Sequence, residues 1–269
     1  MKELIDVLVP TCNRPAALAV ALTALSFQTW PSLRIVIADQ SDGQGAYAHG
    51  EVQAVLRYLR ATGRQVETWR NLPRRGMAQQ RAFLLAQAQS HYCLFVDDDV
   101  ILEPDLVARL HAVIEAEGCG FVGSAPHGLN HLGQERPAQQ AIEFWDGPVT
   151  PETVLPGSSA WARRHLHSGA NLFHLQSRLG PDAHATRTYK VAWVGGCVLF
   201  DTACLRAAGG YDFWTRLPEQ HCGEDVLAQQ RVMARYGGCA IVPSGAYHME
   251  LPTTLTARAI DAPYVLPIE

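Results

Sequence analysis

The chain lacks any apolar run that approaches the ~18 residues of a membrane-spanning helix. The N-terminus has Lys2 but no long apolar stretch behind it, so we expect no signal peptide. A formal net charge of −4 over 269 residues gives no general attraction to nucleic acid. The sequence also has no internal repeat and no low-complexity tract. With 48% apolar and 18% charged residues, it predicts a packed globular protein.

Cysteine pairs and dinucleotide-binding glycines are missing as well. No CxxC motif occurs, and no G-x-G-x-x-G follows a predicted strand, which argues against a dinucleotide-binding enzyme. The cysteines are odd in number, and several lie in apolar runs, where Cys behaves as a small hydrophobe. We therefore expect a reducing, cytoplasmic location without a disulfide framework. The seven are Cys12, Cys93, Cys119, Cys197, Cys204, Cys222 and Cys239.

The first 123 residues alternate between short apolar runs and Ala/Leu-rich segments of helical length. Strands are predicted at 4–10, 33–39, 65–69, 92–96 and 120–123, and helices at 16–28, 51–62, 77–89 and 104–116. Such a βαβ alternation predicts an α/β protein, with a mostly parallel sheet flanked by helices on both faces.

The remainder is less regular. Residues 124–190 are rich in His, Pro, Gly and Trp, show little periodicity, and are interpreted as one long irregular excursion. Regular structure is predicted again at 189–194, with helices at 202–208 and 224–236 and a last strand at 239–242. The tail after Glu250 is expected to wrap the surface. We interpret 1–269 as a single domain.

Three consecutive aspartates, Asp97, Asp98 and Asp99, end the fourth predicted strand. Like charges at a strand tip repel one another, and a divalent cation with oxygen ligands would offset them. Ligands of open α/β sheets gather at the carboxyl ends of strands, which also favours a site here. The alternative is a solvated acidic turn that caps the helix beginning near Pro104.

Seven segments occur in the order and spacing of a known family. They are VPTCNRP at 9–15, QTWP at 28–31, IADQSD at 37–42, FVDDD at 95–99, WVGGC at 193–197, AGGYD at 208–212, and GED at 223–225 followed by Arg231. Together they resemble the family 2 glycosyltransferases, whose nucleotide-sugar fold is the Rossmann-like GT-A fold. One segment departs from the family, because its usual Ala-Arg-Asn run is Gln79-Gln80-Arg81-Ala82 here and keeps only the arginine.

The resemblance implies a donor site for a nucleoside-diphosphate sugar, with a UDP-sugar favoured. Asp97 and Asp99 match the family's D-x-D pair, so Asp99 would ligate Mn²⁺ or Mg²⁺, and Asp97 would lie near the ribose or support the metal. His248 would be a further metal ligand, although a lone His is more often structural. Asp39 would contact the nucleobase, or be an ordinary strand-end turn residue. The other implied donor-binding residues are Pro10, Thr11, Asn13, Arg14, Arg81, Asp98, Gly195 and Gly196.

The resemblance also implies the acceptor side. Asp225 would be the base that deprotonates the acceptor hydroxyl, and Glu224 would bind or orient the acceptor. Both carboxylates could instead stabilise a helix N-terminus. Trp193 could stack on the acceptor sugar or belong to the core.

The implied activity is a metal-dependent, inverting transfer of a sugar to an unknown hydroxyl acceptor. Residues 1–123 would form the nucleotide-sugar half, 124–190 the acceptor side, and 191–269 the acceptor and catalytic half. Some members of this family act at membranes, but no basic amphipathic helix indicates that here. One alternative is a nucleotidyltransferase that makes nucleotide-sugars, which would usually carry a Gly-rich loop after the first strand, and 11–15 has no Gly. Another is a non-catalytic binding module of the same fold.

Overall fold

A central eight-stranded sheet dominates the computed structural model, which describes residues 2–179, 185–253 and 258–268. The strands of the described residues are β1 (Ile5–Thr11), β2 (Leu33–Asp39), β3 (Gln65–Arg70), β4 (Tyr92–Val96), β5 (Val100–Leu102), β6 (Phe121–Gly123), β7 (Arg187–Tyr189), β8 (Cys197–Asp201), β9 (Gly238–Val242) and β10 (Ala246–His248). The sheet order is β3-β2-β1-β4-β8-β6-β9-β7, and β5 pairs with β10 in a separate antiparallel ribbon. Only β7 and β8 run against the other strands of the large sheet, so the prediction of a mainly parallel sheet is confirmed.

Helices cover both faces of this sheet. They are α1 (Pro15–Ser26), α2 (Gly50–Ala61), α3 (Met77–Gln87), α4 (Leu106–Glu117), α5 (Asn171–Arg178), α6 (Thr202–Ala207), α7 (Glu224–Tyr236) and α8 (Ala262–Val265). Alternate side chains of β1 divide between two cores: Val7 and Val9 pack in the core that contains α1, α2 and α4, whereas Leu8 faces the core of α3, α6 and α7. Because both faces are covered, the central strands are continuous apolar runs, as their sequence predicted.

The elements of the first half end within two residues of their predicted bounds. Their signals are local. Helix α1, for example, begins at Pro15, whose fixed φ suits the first helical position. No helix in the described part of the chain is long and apolar enough to cross a membrane.

The prediction of regular structure at 189–194 is wrong for most of that segment. Strand β7 ends at Tyr189, and the chain then runs irregularly to the antiparallel strand β8, which the sequence analysis did not predict. The reason is a side chain of α7: Gln229 accepts the Val194 N–H at 2.8 Å and donates to the Val194 carbonyl at 2.7 Å. The amide thus replaces the strand partner that Val194 would otherwise need.

The excursion contains more structure than its composition suggested. It holds short 3-10 segments at Leu129–His131, Pro137–Gln139 and Ser159–His167, followed by α5 and β7. Residues 180–184 of the excursion, and 254–257 and 269 of the predicted tail, lie outside the described residues. The described tail residues do more than cover the surface, because several of them reach the site at the end of β4.

Two adjacent glutamines in α7 offer a matched test of this packing. Gln229 is 1% exposed and fully hydrogen-bonded to Val194, whereas the Gln230 amide is fully buried and has no hydrogen-bond partner among the described residues. Gln229→Leu leaves two backbone groups unpaired, so it should lower the free energy of unfolding by about 2–4 kcal/mol. Gln230→Leu removes an unpaired buried amide and should be neutral or stabilise by up to about 1 kcal/mol. Urea denaturation of both variants measures the difference, and equal losses would contradict it.

Candidate active site

The carboxyl ends of β1 and β4, the start of α7 and the residues after β10 surround a cavity of about 500 Å³. A second cavity of about 510 Å³ opens toward the excursion and shares Asp97, Trp193, Asp225 and His248 with the first. Most of the residues expected at a site line the first cavity: Pro10, Thr11, Arg14, Arg81, Asp97, Asp98, Asp99, Trp193, Glu224, Asp225 and His248. Gly195 and Gly196 line the second. Side chains from distant parts of the sequence therefore meet at one edge of the sheet.

The three aspartates have different partners. Asp97 accepts a hydrogen bond from Arg81 Nη2 at 2.9 Å, Asp98 accepts one from the Thr11 hydroxyl at 2.6 Å, and Asp99 accepts one from Arg14 Nη1 at 2.6 Å. Asp98 and Asp99 are only 6% and 5% exposed. A solvated acidic turn does not fit this burial.

Burial has a large effect on Asp98. Removal from water, together with the charge of Asp99, raises the pKa of Asp98 to about 7, although the Thr11 hydroxyl and Arg14 oppose the shift. The Asp98 carboxyl therefore takes up a proton more readily than a free aspartate, which relieves the repulsion within the aspartate cluster.

Arg81 of α3 joins the carboxylate that follows β4 to those that begin α7. Its guanidinium is nearly buried and contacts Asp97 through Nη2 and Glu224 Oε1 through Nε, the latter at 3.1 Å. Burial disfavours the charged form, but the charges of Asp97, Glu224 and Asp225 outweigh it and raise the Arg81 pKa well above its usual value. Arg81 is thus the cation that allows these carboxylates to lie close together.

Glu224 and Asp225 form the first turn of α7. The preceding Gly223 has φ +75°, and a side chain there would collide with Asp261, so the chain can enter the helix this way only with glycine. Asp225 Oδ1 accepts the Val226 N–H at 2.9 Å. Removal from water and the charge of Glu224 raise the pKa of Asp225, which suits a group that must take up a proton near neutral pH.

Two expected donor contacts are engaged with the protein instead. The Asp39 carboxylate is fully buried and accepts the backbone N–H groups of Ser41 and Ala46, each at 2.7 Å, as well as Arg70 Nη1 at 3.0 Å. Asn13 exchanges two hydrogen bonds of 2.8 Å with Asp42. These side chains fix the loops that follow β1 and β2, and their predicted contacts with a nucleotide stay predictions.

Residues that could hold a divalent cation lie beside one another. His248 stands opposite Val100 in the β5–β10 ribbon, which brings its Nε2 to 3.6 Å from Asp99 Oδ1. Asp97, Asp99 and His248 do not form a group in which one ligand atom from each residue lies within 4.8 Å of the other two, among residues 2–179, 185–253 and 258–268. Mn²⁺ and Mg²⁺ accept carboxylate, phosphate and water oxygens, so one or two protein carboxylates fit such an ion.

Several lining residues had not been expected. Gln80, Cys222, Arg258 and Asp261 line the first cavity, and His131, Arg164 and His167 of the excursion line the second. Gln80 could have been inferred from its neighbour Arg81. The positions of the others depend on long-range folding, and no sequence signal marks them.

Arg81 can be tested against an exposed arginine. Arg81→Met would leave Asp97, Glu224 and Asp225 without their shared cation, and we expect it to lower the free energy of unfolding by about 3–5 kcal/mol. Arg74→Met is the control, because Arg74 and its partner Asp42 are 41% and 71% exposed and such pairs contribute about 0–1 kcal/mol. Urea denaturation gives both values. Similar small losses would show that Arg81 does not hold the carboxylates together.

Comparisons with known proteins agree with this geometry. The family model described as "Glycosyl transferase family 2" matches residues 6–174. No curated protein sequence matches the chain. Among solved structures, S. aureus TarS 1-349 in complex with UDP-GlcNAc has a TM-score of 0.60 and 16% identity, over 95% of this chain and 62% of that one.

Two further structures are similar. S. aureus TarS 1-349 alone gives a TM-score of 0.58 with 18% identity, over 91% of this chain and 60% of that one. The mannosyltransferase PcManGT from Pyrobaculum calidifontis, in complex with GDP-Man and Mn²⁺, gives 0.52 with 14% identity, over 89% and 57%. The chain spans less than two thirds of the length of each of these structures. With the family match over more than half of its residues and a mainly parallel α/β sheet of GT-A type, the chain belongs to glycosyl transferase family 2.

Proposed function

We propose that the protein is a metal-dependent, inverting glycosyltransferase that moves a sugar from a nucleoside-diphosphate sugar to an acceptor hydroxyl. One observation carries the proposal: the aspartates after β4 and the Glu224–Asp225 pair of α7 lie at two neighbouring cavities of about 500 and 510 Å³ that share lining residues. A UDP-sugar is the favoured donor. Similar structures contain UDP-GlcNAc in TarS and GDP-Man with Mn²⁺ in PcManGT, which supports a nucleotide-sugar donor.

The first cavity is the proposed donor site. Asp99, with Asp97 and His248, would hold Mn²⁺ or Mg²⁺, and the bound ion would stabilise the negative charge that develops on the leaving diphosphate. Thr11 and Arg14 fix the aspartates from the end of β1 through their contacts with Asp98 and Asp99. These protein contacts hold the carboxylates in place before the donor arrives.

The second cavity is the proposed acceptor site, so Gly195 and Gly196, which the resemblance placed at the donor, would face the acceptor side instead. An acceptor hydroxyl beside Asp225 would transfer its proton to that carboxylate while its oxygen attacks the anomeric carbon. The bond to the nucleoside diphosphate breaks on the opposite side, and this single displacement inverts the anomeric centre. Glu224, which lines the first cavity next to Asp225, is held by Arg81 and would orient the acceptor hydroxyl where the two cavities meet. Trp193, which lines both cavities, offers an apolar face for a sugar ring.

The residues that line the two cavities support a separate role for each part of the chain. We assign residues 1–123 to donor binding, 124–190 to the acceptor side, and 191–269 to the acceptor and to catalysis. His131, Arg164 and His167 support the second assignment, because they bring the excursion to the wall of the second cavity. All seven cysteines are free, which supports a reducing, cytoplasmic setting.

Removal of the proposed base should separate catalysis from binding. Asp225→Asn should lower turnover by about 10²–10⁴-fold, the usual contribution of a general base, and leave donor binding nearly intact. In the native protein the rate should rise with pH through the raised pKa of Asp225, because only the unprotonated carboxylate accepts a proton. Release of nucleoside diphosphate from the donor measures both the turnover of the variant and the pH dependence of the native protein. If the variant turns over at the native rate, Asp225 is not the base, and Glu224 is the next candidate to test.

Donor and metal can be tested without knowing the acceptor. Thermal unfolding is followed with UDP, GDP, dTDP and CMP, each with and without Mn²⁺. A ligand at a hundredfold excess over its Kd stabilises the native state by about 2.7 kcal/mol, which is a shift of several degrees. We expect a Mn²⁺-dependent shift with one nucleoside diphosphate, UDP first. Asp99→Ala should abolish the Mn²⁺-dependent part, and an unchanged shift in that variant would exclude Asp99 as a ligand.

A further inference from the structure

A group of histidine and glutamate side chains lies at the amino ends of β1 and β4, the opposite edge of the sheet from the three aspartates. Glu3 precedes β1, His91 precedes β4, and Glu115 belongs to the last turns of α4. In the part of the chain that the structure describes, these three are the one group of His, Cys, Asp or Glu residues whose ligand atoms all lie within 4.8 Å of one another. We call them, together with His111 of α4, the amino-edge cluster.

The separations within the amino-edge cluster are close to those of a zinc site. His91 Nδ1 lies 3.1 Å from Glu3 Oε1. His111, one helical turn before Glu115, has its Nε2 at 3.3 Å from Glu3 Oε2 and at 4.0 Å from Glu115 Oε1. Four ligands that each lie about 2.1 Å from a tetrahedral zinc ion are about 3.4 Å apart. Imidazole and carboxylate are also ligand types that Zn²⁺ accepts.

The second nitrogen of His91 has the partner that a metal-binding histidine usually has. His91 Nε2 faces Asp201 Oδ2 at 3.2 Å, while its Nδ1 faces Glu3. The other Asp201 oxygen accepts the Cys204 N–H at 2.8 Å at the start of α6, which fixes that carboxylate. A histidine that binds a metal through one nitrogen commonly donates its other N–H to a carboxylate. Nδ1 of His91 is therefore the nitrogen that would bind the ion.

Aromatic rings hold both imidazoles of the cluster in place. His91 stacks on Tyr92 with the ring centroids 4.2 Å apart, and His111 packs against Trp30 at 4.3 Å. The Tyr92 hydroxyl also donates to Glu115 Oε1 at 2.5 Å, which restrains one carboxylate of the cluster. Ligands that are fixed before the ion arrives lose little conformational freedom on binding, and this favours affinity.

The carboxylates at this edge of the sheet have no permanently charged partner. Among the described residues, no lysine or arginine forms an ion pair with Glu3, Glu115 or Asp201, and their partners are His91 and His111. An ordinary histidine is largely uncharged above about pH 7.5. Three carboxylates then lie near one another without a positive charge, and a bound divalent cation would supply it.

We propose that the amino-edge cluster binds a zinc ion through all four of its side chains, with Asp201 orienting His91. Zinc suits this set because it accepts nitrogen and oxygen ligands together, whereas Mg²⁺ and Ca²⁺ prefer oxygen ligands alone. Four protein ligands leave no open position for a substrate, so the role of the ion is structural. It would tie the segment before β1 to α4 and to the start of β4. This inference is independent of the proposed function.

Isothermal titration calorimetry with ZnCl₂ at about pH 7.5, without nucleotide, tests the site in protein that has been freed of metal and carries no histidine tag. We expect one zinc ion per chain, and His91→Gln and Glu3→Gln should each abolish measurable binding. His49→Gln is the matched control. His49 and Glu51 form a His–Glu pair at 3.9 Å outside the cluster, with side chains 53% and 49% exposed, so this variant should keep the native affinity.

Asp201→Asn distinguishes an oriented ligand from an ordinary surface histidine. Asn and Asp are about equally good N-caps, so the variant should keep α6 and remain folded. It lacks the charge that holds the His91 N–H, and its zinc affinity should fall by about 10–100-fold. A merely structural role of Asp201 at α6 would leave the zinc affinity unchanged.

Thermal unfolding separates this site from the proposed donor site. Zinc at a hundredfold excess over its Kd should raise the Tm of the native protein by several degrees. Asp99→Ala should show the same rise, because Asp99 lies at the other edge of the sheet. A rise that is lost in Asp99→Ala would place the zinc ion at the aspartates and overturn the proposal.

The remaining outcomes decide the proposal directly. Loss of zinc binding in His91→Gln and Glu3→Gln, with native affinity in His49→Gln, supports it. Unchanged binding in the first two variants overturns it. If the native protein binds no zinc, the cluster is a set of histidine–carboxylate ion pairs, and the proposal falls while the donor site is unaffected. Should His91→Gln fail to fold, Glu3→Gln and Asp201→Asn give the answer.

Discussion

The site depends on the balance between five carboxylates and two arginines. Asp97, Asp98 and Asp99 end β4, Glu224 and Asp225 begin α7, and their cations come from elsewhere: Arg14 precedes α1, and Arg81 lies in α3. The balance is incomplete, since burial and like charge raise the pKa of both Asp98 and Asp225. A diphosphate would add further negative charge to this cavity. A divalent cation is the simplest way to hold it there, which is the physical basis of the proposed metal dependence.

The short β5–β10 ribbon and the turn before α7, more than the large sheet, bring the side chains of the proposed metal and catalytic site together. The sheet alone presents the aspartates at its edge, but His248 reaches them only because β10 pairs with the three residues of β5 directly after Asp99. Gly223 and Asp261 similarly fix the entry into α7, where a side chain on Gly223 would collide with the Asp261 carboxylate. Short local pairings of this kind can place two side chains to within a few tenths of an ångström, as a binding site requires.

The sequence predicted the first half of the fold well because its signals are local. Apolar runs, helix-length Ala/Leu segments and Pro15 locate β1 to β4 and α1 to α4 within two residues, but the three-residue strand β5 was not predicted. It failed at 189–194, where the Gln229 side chain supplies the hydrogen bonds that a neighbouring strand would normally supply. Motif order pointed to most of the side chains that the structure brings together around the two cavities, and their roles stay predictions. It could not show that Asn13 pairs with Asp42, or that tail residues such as Arg258 would reach the first cavity, because these contacts join distant parts of the sequence. The Asp39 contacts with Ser41 and Ala46 are local, but they depend on the path of the loop after β2.

Arg81 connects the two sides of the proposed reaction. It contacts Asp97, which lines both cavities, and Glu224, which begins the helix that carries Asp225. A ligand that bound the Asp97 carboxylate would change the electrostatic interaction of Arg81 with Glu224 and Asp225. Since the guanidinium is buried, this interaction is weakly screened by solvent. The Asp97 carboxylate and the carboxylates at the start of α7 therefore share one buried cation.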